Sequence, residues 1–191
     1  MNALEQYRNA VKDYAARGVN YLFHNEGDEH ALIIFTNIFI NAKKTIRIAA
    51  NKLCNKEVVN QKEYVDSLSA FLDKKGAQLY ILLTNRPTKE EANVEGCLYK
   101  MLYNHPAYKE GRIIIKEGNG KSFRDQERNV VHFCMGDETM YRIENDVVGR
   151  KAVANFGDRK TTMVLSKGFD NAFASVATTV NLHDYYGLHE S

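Results

Sequence analysis

Tryptophan is absent from this 191-residue chain, and proline occurs only twice, at Pro87 and Pro106. No Ser/Gly/Pro-rich stretch, internal repeat or low-complexity segment interrupts it, so nothing marks a linker. These absences imply one domain over residues 1–191, long enough to bury a core without staples. Cysteine is scarce as well. Cys54, Cys97 and Cys134 are odd in number, widely spaced and contain no CxxC pair, which excludes a disulfide framework and a zinc cluster. Reduced thiols in a cytoplasmic protein are the expectation. A net charge of +2 lowers the case for a strongly basic nucleic-acid binder, although local patches stay open. The longest apolar stretch, Ala31 to Ile40, is interrupted by Thr36 and Asn37 and is too short to span a bilayer, so no membrane role is expected. The opening residues, Met1 to Arg8, are polar and acidic early, unlike a signal peptide.

What is present is a globular composition, 44% hydrophobic and 26% charged, which sets disorder aside. Apolar residues at helical spacing predict helices over Leu4–Ala16 and over Asp28–Ala42, the second capped by Asp28. Thr45–Ala50 reads as a strand, Asn60 or Gln61 to Lys75 as an amphipathic helix closed by Gly76, and Gln78–Leu83 as a buried strand. Strand, helix and strand with short joins form a βαβ unit, which implies parallel strands. A helix from Pro87 to about Tyr103 and a strand over Arg112–Lys116 come next. Asn129–Met135 and Thr139–Glu144 form a hairpin, succeeded by Ala152–Phe156. Thr161–Leu165 reads as a last strand and Phe169 to about Leu182 as a closing helix. The expected class is α/β, a mixed β-sheet with helices on both faces, with residues 1–27 as a helical extension and 183–191 as a polar tail.

Several motifs fall to plain readings. Glu117-Gly118-Asn119-Gly120-Lys121-Ser122 ends like a phosphate-binding loop, but the glycine that loop needs five residues before Gly120 is Ile115. An exposed turn is expected there. His24, Glu26, Asp28, Glu29 and His30 are metal-ligand types, yet they precede a helix whose dipole favours acids, and no HExxH spacing occurs. No metal or cofactor is expected. His183 and His189 read as solvated residues of the tail.

The hairpin is different. On a strand, His132 shares a face with Val130 and Cys134, while Val131, Phe133 and Met135 face the other way. The return strand brings Tyr141 or Arg142 within reach, depending on register. A histidine needs an orienting partner before it acts as nucleophile or base, and Glu144 and Asp137 are the nearest acids in sequence. The alternative is a core histidine beside an ordinary Arg142–Glu144 pair.

The order of these parts resembles the phospholipase D superfamily over residues 28–177. Ile46-Arg47-Ile48-Ala49 matches its first strand, His132 its motif histidine, Asp137 loosely its aspartate, and Ala154-Asn155-Phe156 the tail of its Gly-Ser-x-Asn element. The chain departs from that pattern at four points. Cys134 stands where the family has lysine, and Asp137 lies two positions closer to the histidine. Ala152-Val153 replaces Gly-Ser, and the Glu144–Ala152 loop is longer. In the family two motifs meet, one histidine attacking phosphorus and the other protonating the leaving oxygen, while the lysines hold phosphate oxygens. A single motif therefore implies a homodimer. Loss of the lysine implies about 3–4 kcal/mol less transition-state stabilisation, about 10²–10³ in rate.

Three readings are open. The first is a catalytically degenerate phospholipase D-like domain, a homodimer that binds a phosphate-bearing ligand or a partner, with Asp137 and Tyr141 as ligand-binding residues. The second is an active, metal-independent phosphodiesterase or nuclease on nucleic acid or another phosphodiester. There His132 is the nucleophile, Glu144 its orienting acid, Arg142 the phosphate clamp and Asn155 a further donor. The third is an unrelated α/β interaction or sensor domain with His132 in the core. Cys134, in an apolar strand, is expected to be inert.

Overall fold

The computed structural model describes residues 2–93, 98–146, 148–149 and 151–187. Helix α1 (Ala3–Arg17) starts on Asn2, whose side chain accepts the Glu5 amide at 2.8 Å, and stops on Gly18 in the left-handed region. Strand β1 (Phe23–Glu26) precedes helix α2 (Asp28–Asn41). Asp28 is not the cap of α2: Gly27 holds that place without a side-chain bond, and Asp28 lies in the first turn. Strand β2 (Thr45–Ala50), helix α3 (Lys62–Leu72) and strand β3 (Gln78–Leu83) make the βαβ unit, with β2 and β3 parallel. The stretch expected as one helix after Pro87 contains α4 (Lys89–Ala92) and α5 (Leu98–Asn104), and Cys97 between them lies outside the described residues. Helix α6 (Pro106–Lys109) leads to β4 (Ile113–Glu117), parallel to β3.

The second half adds β5 (His132–Gly136), β6 (Met140–Asp146) and β7 (Lys151–Asn155), then α7 (Arg159–Ser175) and α8 (His183–Tyr186). One seven-stranded sheet results, in the order β1-β7-β6-β5-β2-β3-β4. Strand β5 runs antiparallel to β2, so the sheet is mixed and changes sense between them. Alternation sorts the side chains by face. Ile46, Ile48, Cys134 and Ala154 join the large core under α1, α2 and α3, whereas Phe133, Met135 and Tyr141 pack with Phe169 of α7. Helices thus cover both faces. Gly136 lets α2 cross β5 closely, because a Cβ there would lie 2.8 Å from Ile38 Cγ2.

Further elements differ from the sequence reading. Thr161–Leu165 belongs to helix α7 and is not a strand, and the closing helix expected from Phe169 to about Leu182 is the second part of α7, which ends at Ser175. The β-branched run suggested extended chain, but Asp158 caps a helix there by accepting the Thr161 amide at 3.1 Å. Thr162, Leu165, Phe169, Phe173 and Val176 then meet the sheet at helical spacing. Residues 1–27 are not all helix, because β1 pairs with β7 and forms the sheet edge. The expected polar tail is docked as far as it is described: the Tyr185 hydroxyl donates to the Pro87 carbonyl at 2.9 Å, and Tyr186 to that of Ala92. His189 lies outside the described residues. Among the described residues no helix is long and apolar enough to cross a membrane.

Candidate functional site

The β5–β6 register sets His132 directly opposite Glu144, and Cys134 opposite Arg142. All four side chains point to the α2 face, one pair deeper than the other. His132 Nδ1 lies 3.4 Å from Glu144 Oε2, and Arg142 Nη2 donates to Glu144 Oε1 at 3.2 Å. Arg142 Nε donates to Asn25 Oδ1 at 3.2 Å, and Asn25 is itself turned by donating to the Ala152 carbonyl at 3.2 Å. The guanidinium carbon sits 5.0 Å from the centre of the Phe35 ring. Side-chain exposure falls from 19% at His132 to 15% at Glu144 and 3% at Arg142, so the chain of contacts runs inward from the surface. An imidazole whose Nδ1 faces a carboxylate presents Nε2 as its basic nitrogen.

Burial works against the Glu144 charge, but the His132 imidazole and the Arg142 guanidinium outweigh it and hold the carboxyl below its ordinary range. A depressed carboxyl stabilises the fold above its unfolded-state pKa, and that contribution is lost as pH falls through the folded one. Glu144→Gln is therefore expected to lower the urea midpoint at pH 7, with the gap to wild type closing as the carboxylate range is crossed downward. Equal loss at pH 7 and in acid would show that charge at Glu144 is not what matters.

These residues border a cavity of about 340 Å³, with Phe35, Ile48, Asn51, Lys52 and Asn55 among its other walls. It lies beyond the carboxyl end of β2, beside the change of strand direction, where α/β sheets place ligands. Sequence reading missed Lys52. Its Nζ is held by both Glu91 carboxylate oxygens, at 2.8 and 3.0 Å. The signal was a cation two residues beyond a strand end, but that strand's place beside His132 is a long-range pairing. Cys134 does not reach the cavity wall. It is fully buried, and burial pushes its thiol pKa up, so it is not a thiolate in waiting. The cation at its level is Arg142, from the neighbouring strand.

The other candidates are not brought together with His132. Asp137 is at the far end of β5, where its carboxylate accepts the amides of Lys43, Lys44 and Thr45 at 2.8, 2.9 and 3.0 Å. Tyr141 faces α7, with its hydroxyl 3.4 Å from Asp158. Asn155 donates to Asn20 Oδ1 and accepts the Gly157 amide, each at 2.8 Å. A larger cleft of about 660 Å³ at that far end carries Arg17, Lys43, Lys44, Arg47 and Arg159. Most of its charge has local explanations: Arg17 pairs with Asp13, Arg47 with Asp170, and the lysines lie just past the negative end of α2. Among the described residues no group of three or more His, Cys, Asp or Glu could hold a metal ion.

No known family profile and no curated protein matches the sequence. Solved structures do match the fold. TrmBL2, described as an archaeal chromatin protein with a novel mode of DNA binding, superposes with TM-score 0.56 at 14% identity over 92% of this chain. The chain spans 63% of that protein. Nuc from Salmonella typhimurium, a phospholipase D family member, gives TM-score 0.55 at 12% identity, covering 84% of this chain and 98% of its own. NucT from Helicobacter pylori gives 0.54 at 11% identity with the same coverages. The fold is phospholipase D-like.

Proposed function

We propose that this protein binds a phosphate-bearing ligand, a phosphodiester, in the His132 cavity, as a homodimer in the cytoplasm that has lost turnover. The observation that carries the reading is the state of Arg142. It is the cation at the level of the missing lysine, yet its guanidinium is occupied by Glu144, Asn25 and the Phe35 ring. Bound that way, it orients Glu144 and through it His132, and does not track phosphate oxygens through a reaction. The DNA binding attributed to TrmBL2 supports nucleic acid as the phosphodiester. A dimer is part of the reading because one chain carries one histidine motif.

A second reading, an active metal-independent phosphodiesterase, has one observation in its favour: Glu144 beside His132 is the orienting group that a nucleophilic histidine requires. Cleavage of bis-p-nitrophenyl phosphate and of single- and double-stranded DNA in EDTA separates the two, with wild type beside His132→Ala. The expected result is no turnover in either, with DNA binding weakened roughly tenfold in the variant, a loss of about 1.4 kcal/mol. Turnover that disappears with His132 establishes the enzyme instead. Sedimentation should show a dimer; a monomer at every concentration removes that part of the proposal.

A further inference from the structure

Lys52 lines the same cavity as His132, Arg142 and Glu144, and with Arg142 occupied by Glu144 and Asn25 the phosphate site proposed above leaves Lys52 without a stated role. We propose that Lys52 is an anion ligand of this cavity held in reserve by Glu91, a carboxylate that competes with incoming phosphate for it. This rests on the cavity being a phosphate site. The Lys52 ammonium is the cavity's most accessible cation, with a side chain 35% exposed against 3% for Arg142. Its partner Glu91 is not part of the cavity wall. It reaches Lys52 from α4, where it also closes a capping box by accepting the Thr88 amide at 2.8 Å. The two contacts on Glu91 and the half-exposed setting make the pair an exchangeable one, since such ion pairs are weak in water.

The backbone around Lys52 is built to hold it there. Tyr99 donates to the Lys52 carbonyl at 2.6 Å, and the next residue, Leu53, is held at φ 53°, a left-handed conformation uncommon for leucine. Strain of this kind persists only where surrounding contacts impose it, and it concentrates at ligand-binding loops. A phosphate entering beside His132 meets Lys52 at the rim and offers it oxygens in place of the Glu91 carboxylate. Glu91 thus sets how much anion is needed before the site fills.

Titration calorimetry with inorganic phosphate and with bis-p-nitrophenyl phosphate tests this on the full chain. Glu91→Gln removes the competing charge while keeping a residue accepted at the third position of a capping box, so α4 stays capped. It is expected to bind both anions roughly threefold to fivefold tighter than wild type, the weight of a half-exposed ion pair. Lys52→Met is expected to weaken binding and to abolish the gain from Glu91→Gln in the double variant, a coupling that a merely structural pair does not produce. Unchanged or weaker binding in Glu91→Gln, with binding still weakened in His132→Ala, overturns the role of Glu91 and leaves the phosphate site standing. Absence of binding in wild type and in Glu91→Gln alike removes both.

Discussion

Arg142→Met is expected to destabilise the protein by about 3–5 kcal/mol, the cost of stripping one partner from a buried ion pair. For a chain of this length that is a fall in Tm of roughly 6–20 °C. The cost comes from stranded partners. Arg142 is 3% exposed, and its loss leaves the Glu144 carboxylate, 15% exposed, without its internal cation. Asn25 Oδ1, on a side chain fixed by the Ala152 carbonyl, loses its donor as well. Arg142→Lys is not expected to restore stability, because a single ammonium does not reproduce the fork that reaches Asn25 from Nε and Glu144 from Nη2. Arg142→Met combined with Glu144→Leu should recover much of the loss, since removing both charges leaves neither unpaired. A cost below about 1 kcal/mol for Arg142→Met would place this pair in the range of solvent-exposed ion pairs. It would also free the guanidinium for ligand, and so reopen the enzymatic reading.

The legible part of this site was the part carried by local period. Alternation in β5 separated His132 and Cys134 from Phe133 and Met135, and the hairpin offered both Glu144 and Asp137 as the nearest acids; the register opposes Glu144 to His132 and leaves Asp137 at the other end of the strand. Alternation also held the answer for Tyr141, which is one residue out of step with Arg142 and therefore on the other face, but only once the turn register was known. Lys52 was not legible. Its nearness to His132 depends on β2 pairing with β5 across more than eighty residues, and no local pattern encodes such a pairing. Strand β1 was missed because Phe23-His24-Asn25-Glu26 has a single large apolar residue and joins the sheet by backbone pairing with β7. Thr161–Leu165 misled for the opposite reason. Its β propensity is real, but a capped helix also buries Phe169 and Phe173 against the sheet.

Asp137 shows the same separation between motif and structure, and its removal is the second large effect expected. Asp137→Ala should cost about 3 kcal/mol, roughly 6–12 °C in Tm, while leaving anion binding at the His132 cavity unchanged. Its carboxylate gathers three successive amides, of Lys43, Lys44 and Thr45, and its own amide donates to the Thr45 carbonyl at 2.8 Å. It therefore ties the hairpin turn to the join between α2 and β2, at the sheet end opposite the cavity. Two penalties add in the alanine variant. Charge-assisted bonds are lost, partly replaced by water at the exposed amides, and alanine is strained at the φ of 51° that aspartate tolerates. Asp137→Asn separates them: asparagine accepts the backbone angle and retains one acceptor oxygen, so a cost of about 1 kcal/mol is expected. Urea unfolding of both variants beside phosphate titration decides the matter. Weakened binding in Asp137→Asn with stability intact would assign Asp137 to the ligand after all. Lost stability with intact binding makes it the clasp that holds β5 in register, and His132 with it.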